Sequence, residues 1–216
     1  MFASKHAFLK LTRNLALLGF VLAAFVLGGC SSCKEYEEQI MQLDSQIADL
    51  QRQVADKESS IAECNEIADE LRENLKKVQA ENDVLVEQSN EVVYITVQES
   101  LMFVPSGDIV REEMVPALET IAGTIRQHPD WDVFVEGYTD TKKIMEDYHY
   151  KWPTNWELGA ARSCAVVRYL TNNLDLPAER FAAVSYGPFR PFASNDTDEG
   201  RAQNRRVRLV LHKPQS

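Results

Sequence analysis

Few residues in this sequence are spaced for catalysis. The four histidines form no H-E-x-x-H motif or other metal-binding pair, and no G-x-S-x-G string or glycine-rich phosphate loop occurs. Cys164 and His149 are residue types that can form a nucleophilic pair, but neither has neighbours in sequence that would activate the thiol. No acid pair stands in a recognisable glycosidase frame. We therefore expect no enzymatic activity, no cofactor and no metal site.

Cys30 is the residue with the clearest chemical role. Three basic residues and no acidic ones precede it, and an apolar run from Leu15 to Leu27 leads into the string Leu27-Gly28-Gly29-Cys30. The run has the length of a signal peptide and is shorter than a membrane-spanning helix. The string resembles the lipobox of bacterial lipoproteins, which implies lipidation of Cys30 as the first mature residue. The alternative is a single transmembrane anchor with an incidental cysteine.

The residues after Cys30 bear on where the lipid anchor goes. Ser31 follows it, so no aspartate occupies the second mature position. By resemblance to proteobacterial sorting, this implies the outer membrane, with the chain facing the periplasm.

We divide the chain into a lipoprotein signal peptide (1–29), a lipidated N-terminus with a short linker (30–33), a coiled-coil spacer (34–91) and a folded domain (92–216).

Residues 34–91 contain no glycine or proline, and their apolar residues recur every 3.5 positions. Twelve of fourteen heptad positions are non-polar. The a positions are Ile40, Ile47, Val54, Ile61, Ala68, Leu75 and Asn82, and the d positions are Leu43, Leu50, Lys57, Cys64, Leu71, Val78 and Leu85. The pattern predicts a homo-oligomer, a parallel coiled-coil dimer, with a trimer left open because Leu75 and Val78 reverse the dimer preference. A helix lying on a membrane is disfavoured by the narrow apolar seam and the acidic remaining faces.

Two interpretations of Cys64 remain open at this stage. At a d position it would face its symmetry mate in a parallel dimer, and the periplasm permits disulfides. It fits equally well as a small apolar core residue.

The charge of the chain excludes one class of partner. There are 23 basic and 33 acidic residues, for a formal net charge of −10, and nucleic acid binding needs clustered positive charge. Residues 34–91 hold 6 basic and 16 acidic side chains, whereas residues 92–216 hold 14 and 17. The acidity therefore belongs to the predicted spacer, and we expect no nucleic acid partner.

The composition changes at residue 92, where β-branched and aromatic residues predict a strand. The pattern from there on predicts an α+β fold, a β-α-β-α-β-(α)-β two-layer sandwich preceded by the long helical coiled coil. The expected elements are strands at 92–97, 131–135, 181–186 and 207–211, helices at 111–127 and 155–173, and a short helix from 196. Asn155 is the expected N-cap of the second long helix, and Cys164 within it is expected to be buried.

Three strings in this region carry a family resemblance. They are Gly137-Tyr138-Thr139-Asp140, then Asn155-Trp156-Glu157-Leu158 with Ala161-Arg162, and the run Gly200-Arg201-Ala202-Gln203-Asn204-Arg205-Arg206-Val207. Together they resemble the OmpA C-terminal domain family, which includes the peptidoglycan-associated lipoproteins and the periplasmic part of MotB. The resemblance covers residues 92–216. The Asn-Trp-Glu-Leu string and the long loop at 141–154 are most similar to the MotB branch.

The resemblance implies non-covalent binding of peptidoglycan through the diaminopimelate of its stem peptide. That side chain ends in an ammonium and a carboxylate on one carbon. Asp140 would take the ammonium, and Arg162 would take the carboxylate through its planar fork. By the same resemblance Asn155 and Leu158 line the site, with Thr139 and the region of Phe103 at its edge.

The implied function is that of an outer-membrane lipoprotein that tethers the membrane to the cell wall. The alternative is a MotB-like or secretion-system-associated subunit in the inner membrane that anchors a complex to peptidoglycan. A proton-conducting stator is disfavoured because no ionisable residue lies between Asn14 and Cys30. The 141–154 loop could contact a ligand or pack on its own domain, and the arginines at 201–208 are expected to pair with carboxylates or to meet peptidoglycan.

Overall fold

A long helix opens the described part of the chain. The computed structural model describes residues 31–76, 84–105 and 107–214, so the predicted signal peptide, Cys30 and the heptad positions Val78 and Asn82 lie outside it. Helix α1 spans Ser31–Leu75. Within the described ranges, no helix is both long enough and apolar enough to cross a membrane.

The N-terminal part of α1 belongs to a first compact unit that ends at Asp56. The predicted heptad positions in this part are solvent-exposed in the single chain: Ile40, Leu43, Ile47, Leu50 and Val54 are between 43% and 58% exposed. Residues 31–56 would span about 39 Å at ~1.5 Å per residue. Their apolar stripe is therefore available to another surface.

The second unit, residues 57–216, is built on a five-stranded sheet. Its strands are β1 (Val84–Ser89), β2 (Val92–Gln98), β3 (Asp132–Tyr138), β4 (Phe181–Gly187) and β5 (Arg206–His212). The strand order is β1-β2-β5-β3-β4. Only β3 and β4 are parallel, and every other neighbouring pair is antiparallel.

Helices connect these strands. They are α2 (Glu99–Met102), α3 (Val115–Gln127), α4 (Asn155–Arg168) and α5 (Asp198–Asn204), with single 3₁₀ turns at Glu112–Met114, Glu146–Tyr148 and Ala178–Arg180. A π-helical turn at Tyr169–Asn173 extends α4 to the predicted end of that helix. Proline stands in the first turn of α3, where its missing N–H is not needed.

One face of the sheet is buried and the other is partly open, which is the signature of two layers. On β2, Val93, Ile95 and Val97 are fully buried, whereas the alternating Tyr94 and Thr96 are half-buried. The predicted α+β two-layer fold with a long N-terminal helix is confirmed. The four strands predicted from residue 92 onwards are all present, within a few residues of their expected bounds.

The C-terminal part of α1 is part of the domain core. Cys64, Ile67, Ala68 and Leu71 are fully shielded from solvent, and Leu75 is nearly so. These include the predicted a and d positions of two heptads, so this part of the seam packs on its own domain. A 3.5-residue repeat and the 3.6-residue stripe of an ordinary amphipathic helix differ by only ~20° per heptad, and the sequence fits both.

Polar contacts fix this end of α1 to the domain. Glu70 accepts a hydrogen bond from Thr124 on α3 (3.1 Å), and the Arg72 Nε donates to the Val86 carbonyl on β1 (3.1 Å). Glu63 accepts from the Trp131 indole at 3.0 Å. Partial burial opposes ionisation of Glu63, but the hydrogen bonds from Trp131 and Lys213 lower the pKa of its carboxyl.

The prediction of helix up to residue 91 is wrong at its end. Residues 84–89 form β1, which pairs antiparallel with β2 from Val84↔Val97 to Ser89↔Val92. Val86 on this strand is buried, and Leu85, a predicted d position, is 51% exposed. The sheet therefore begins before residue 92, because pairing with β2 outweighs the local helical pattern.

The two cysteines with described side chains reverse one expectation. Cys64 is completely buried among apolar side chains, and this burial raises the pKa of its thiol to about 11. Of the two interpretations of Cys64, the structure therefore agrees with the small apolar core residue and not with a cysteine that faces its symmetry mate. Cys164 is exposed, so the expectation that it is buried is wrong: α4 turns Ser163, Ala165 and Val166 inward instead.

If the end of α1 is part of the domain core, Leu71→Ala will lower the free energy of unfolding by about 2–5 kcal/mol, the usual cost of such a cavity. The matched control is Leu85→Ala, the same change at an exposed position of the same domain. Urea unfolding followed by the fluorescence of the domain tryptophans measures both. Equal effects of the two variants would contradict the packing described for residues 64–75.

Candidate functional site

A cavity of about 530 Å³ opens where β3 ends. Its walls come from the end of β2 with α2, the 141–154 loop, the first turns of α4, and the residue before β5. All six residues expected at the ligand site line it: Phe103, Thr139, Asp140, Asn155, Leu158 and Arg162. The folded chain thus brings together residues that are up to sixty positions apart in the sequence.

Four charged side chains alternate in sign along one wall of the cavity. The Arg162 Nη2 donates to the Glu99 Oε1 at 2.5 Å. The Arg205 guanidinium links Glu99 (Nε to Oε2, 3.3 Å) to Asp140 (Nη1 to Oδ2, 2.7 Å). We call this series Arg162–Glu99–Arg205–Asp140 the ionic chain. Its members come from four separate segments, so it exists only in the folded domain.

Asp140 is held firmly at the end of β3. Its side chain is 8% exposed, and its Oδ1 accepts the Lys142 backbone N–H at 3.0 Å while its Oδ2 accepts from Arg205. Carboxylates with charged donors hold fixed positions because these hydrogen bonds are roughly twice as strong as neutral ones. Asp140 is therefore a fixed anion on the cavity wall and not only a turn former.

Arg162 is more buried than a ligand-binding arginine on a helix surface would be. Its side chain is 4% exposed, its Nε donates to the Gly107 carbonyl at 3.2 Å, and its guanidinium carbon lies 5.6 Å from the centre of the Phe103 ring. Burial lowers the pKa of the guanidinium, and the Glu99 carboxylate opposes this shift. Its two hydrogen bonds use two of five donors.

The close approach of α4 to β3 brings Arg162 to this place. A side-chain carbon at Gly137 would stand 2.2 Å from the Gly159 carbonyl oxygen, so only glycine allows this contact. Gly159 is one helical turn before Arg162. A larger residue at Gly137 would push α4 away from the sheet and Arg162 away from Glu99.

The N-terminus of α4 differs from the expectation in one residue. Thr154, not Asn155, is the N-cap: its hydroxyl accepts the Trp156 N–H, and the Glu157 carboxylate accepts the Thr154 N–H, which completes a capping box. Asn155 is the first helical residue. Its amide donates to the Lys142 carbonyl (2.9 Å) and the Asp140 carbonyl (3.3 Å), so it ties the helix to the loop after β3.

The 141–154 loop forms the apolar side of the cavity. Tyr148 and Trp152 stack with centroids 5.8 Å apart, and both line the cavity together with Met145. Lys151 pairs with Asp108 at 2.7 Å, which joins this loop to the segment across the opening. Tyr150 is 86% exposed and does not line the cavity. The loop thus both packs on its own domain and contributes to the site.

Two members of the ionic chain, Arg205 and Glu99, are not among the six residues expected at the ligand site, although Arg205 pairs with carboxylates as expected. Arg205 lies in the Asn204-Arg205-Arg206 string, which was a usable signal, although the string does not say which arginine turns inward. Glu99 follows β2 and gives no signal, because nothing separates it from the other sixteen acidic residues of 92–216. Lys142, Lys143 and Arg111 also line the cavity and give its rim a positive character.

The other arginines at 201–208 also contact groups of their own domain. Arg201 pairs with Asp198 (2.5 Å), and Arg208 with the buried Glu136 (2.7 Å). Burial acts against the charge of Arg208, but its bonds to Glu136 raise the pKa of its guanidinium. Arg206 lies 3.8 Å from the centre of the Tyr138 ring. In the described ranges, no group of three or more metal-ligating side chains of the His, Cys, Asp or Glu type occurs.

The chain resembles known proteins over this same region. Residues 102–205 match the family model of the OmpA family. The chain is 28% identical to Motility protein B of Bacillus subtilis over 149 residues, which is 69% of this chain and 56% of that protein. It is 27% identical to the peptidoglycan-associated lipoprotein of Brucella melitensis over 124 residues, 57% of this chain and 69% of that protein.

A solved structure agrees with these relatives. The cell wall anchor of the T6SS from Pseudomonas aeruginosa is 30% identical, with a TM-score of 0.59, and the match covers 68% of this chain and 97% of that one. The chain spans about half the length of the curated relatives at the top of the comparison. The family model covers Asp140, Arg162 and Arg205 of the ionic chain together with β3, β4 and α4, whereas Glu99, β2 and β5 lie outside it. Residues 102–205 are therefore the region in which the chain resembles the OmpA family.

Proposed function

We propose that the domain binds peptidoglycan without covalent chemistry, through the diamino acid of its stem peptide. The observation that carries this proposal is the ionic chain on the wall of a cavity of about 530 Å³. A diaminopimelate end group carries one ammonium and one carboxylate. The wall offers two fixed anions, which alternate with two fixed cations, so each charge of the ligand can meet an opposite charge.

The charges divide naturally between the two poles of the ligand. The ammonium is placed by Asp140 and Glu99, the two carboxylates on either side of Arg205. Arg162 and Arg205 bind the carboxylate of the ligand. Arg111, Lys142 and Lys143 give the rim of the cavity a positive charge, which attracts that carboxylate. Arg205 has the more exposed of the two guanidiniums, 32% against 4% for Arg162, so it is the first cation that an entering carboxylate meets.

The relatives support the same ligand. One is named a peptidoglycan-associated lipoprotein, and the similar solved structure is titled a cell wall anchor. Neither name describes an enzyme. We infer a binding protein without catalytic activity.

For the whole chain we propose an outer-membrane lipoprotein, anchored through Cys30, that tethers the membrane to the cell wall from the periplasmic side. The signal sequence and the relationship to a peptidoglycan-associated lipoprotein support it. The second candidate is a MotB-like or secretion-associated subunit of the inner membrane. The similarity to Motility protein B and to the T6SS anchor favours that candidate.

We further propose that residues 34–56 form a parallel homo-oligomeric coiled coil. Isoleucine or valine at the a positions and leucine at the d positions of this stretch favour two strands. The stripe is exposed in the single chain, and an identical stripe on a second copy is its natural complement.

The site is tested by Asp140→Asn, which keeps the size of the side chain and removes its charge. Loss of a charged hydrogen bond should weaken co-sedimentation with isolated sacculi by about 10- to 100-fold. Arg162→Lys should weaken it as well, because lysine keeps the charge but not the fork.

The matched control for both variants is Arg168→Ala, a change at an exposed arginine on the same helix. It should bind as the wild type does. Circular dichroism checks that each variant is folded. Wild-type affinity of the folded Asp140→Asn protein would remove Asp140 from the site.

The anchor is tested by cell fractionation and mass analysis of the N-terminus. We expect a triacylated Cys30 in the outer-membrane fraction, and an unprocessed precursor for Cys30→Ala. A mature protein found in the inner membrane would support the second candidate instead.

The oligomer is tested by Ile47→Asp, which places a charge in the centre of the exposed stripe. Analytical ultracentrifugation of the full-length chain in mild detergent should show a dimer that becomes a monomer in the variant. The control is Glu58→Lys, a charge change at an exposed position outside a and d. A wild-type chain that sediments as a monomer would overturn the coiled-coil proposal.

A further inference from the structure

Trp156 and Phe189 form an aromatic surface that the rest of the described chain leaves largely uncovered. Their rings are stacked, with centroids 5.4 Å apart and an angle of 28° between planes, yet 47% of Trp156 and 68% of Phe189 remain exposed. Exposing two large stacked rings is unfavourable in water, and such surfaces usually mark a binding site. We call this pair the aromatic platform.

The platform is rigidly supported. The Trp156 ring lies over Gly187, where a side-chain carbon would be 3.4 Å from Cδ2, and Gly187 has a φ of +51°, which favours glycine. The Ser185 hydroxyl donates to the Trp156 carbonyl at 2.9 Å. On the other side, the Phe189 N–H donates to the Tyr186 carbonyl at 3.2 Å.

The segment that carries Phe189 is also fastened further along. The Asn204 side chain is fully buried, accepts the N–H groups of Phe192 and Ala193 (2.7 and 2.9 Å) and donates to the Ala193 carbonyl (2.8 Å). A platform held at both ends loses little conformational entropy when it binds, which favours affinity.

The platform adjoins the cavity. Asn155 lines the cavity and Trp156 is the next residue of α4. Thr139 also lines the cavity, and its N–H donates to the carbonyl of Gly187, the residue beneath the Trp156 ring, at 3.0 Å. The cavity and the platform are thus linked through Asn155 on α4 and through the hydrogen bond between the ends of β3 and β4.

We propose that the aromatic platform binds the sugar rings of the glycan strand whose stem peptide occupies the cavity. This inference rests on the proposed function. The apolar C–H face of a pyranose ring fits a flat aromatic surface, and the exposed Arg190 guanidinium, 3.9 Å from the Tyr186 ring centre, can donate to acyl carbonyls of amino sugars.

Covalent geometry favours this occupant over an unrelated partner. The diamino acid is joined to the glycan through a short peptide, and three extended residues span at most about 10 Å. A strand whose peptide is held in the cavity therefore has its sugars close to the domain surface. Binding at both places raises the affinity for the polymer because the second contact is intramolecular.

The test compares two ligands on the full-length chain in mild detergent. One is a soluble stem peptide that contains diaminopimelate, measured by calorimetry, and the other is intact sacculi, measured by co-sedimentation. Phe189→Ala and Trp156→Ala should weaken sacculus binding about five- to tenfold and leave the peptide Kd unchanged within about twofold. Phe189→Tyr should restore binding, because it keeps the flat ring.

Phe134→Ala is the matched control, since Phe134 is another exposed aromatic that packs on a ring, that of His212 at 4.5 Å, near the opposite end of β3. It should bind both ligands as the wild type does. Phe189 is the decisive position because its removal leaves the support of Trp156 intact.

Several outcomes would overturn the proposal. Unchanged sacculus binding by Phe189→Ala would do so, as would an equal loss of binding to sacculi and to the peptide. A change of oligomeric state of this variant in ultracentrifugation would also do so, because it would identify a second copy as the occupant. Failure of the wild type to bind the peptide would instead overturn the proposed function itself, so the two failures are distinguishable.

Discussion

The geometry of the site depends on one partly buried series of charges, from Arg162 through Glu99 and Arg205 to Asp140. Removing such charges from water costs several kcal/mol per ion, and the cost is offset only when each charge has partners in good geometry. Here every member has at least one oppositely charged neighbour within 3.3 Å. The end of β2, the end of β3, α4 and the residue before β5 must therefore keep fixed relative positions.

The same constraint explains why the backbone is so tightly packed beside the cavity. Gly137 and Gly159 allow α4 to touch β3, and that contact sets the height at which Arg162 meets Glu99. The capping box of Thr154 and the amide bonds of Asn155 fix where α4 begins. These are uncharged features, yet they determine whether two charges meet at 2.5 Å or remain apart.

The positions of the domain elements could be predicted, but not the pairing within the site. Asp140 and Arg162 are visible in the family strings, whereas Glu99 is one acid among many, and only the fold shows that two arginines share it. Residues 84–89 were assigned to a helix because Leu85 extends a heptad pattern, and β1 becomes evident only when β2 is present as its partner. Leu71 was assigned to the coiled-coil seam for a similar reason, because an apolar stripe in a sequence does not indicate which surface it packs against.

The burial of the C-terminal part of α1 limits the length of the proposed coiled coil. Cys64, Leu71 and Leu75 are already covered by the domain, so they cannot also lie in a seam between copies, and Leu75 no longer bears on the choice between dimer and trimer. What remains free is the stretch Ile40–Val54, about two to three heptads. A seam of that length buries few a and d side chains, so the affinity of the dimer depends on every one of them. Two chains anchored through lipid to one membrane would meet at a far higher effective concentration. In the proposed dimer, pairing of the helix and anchoring of its N-terminus would reinforce each other, because anchoring would raise the effective concentration at which the short seams pair.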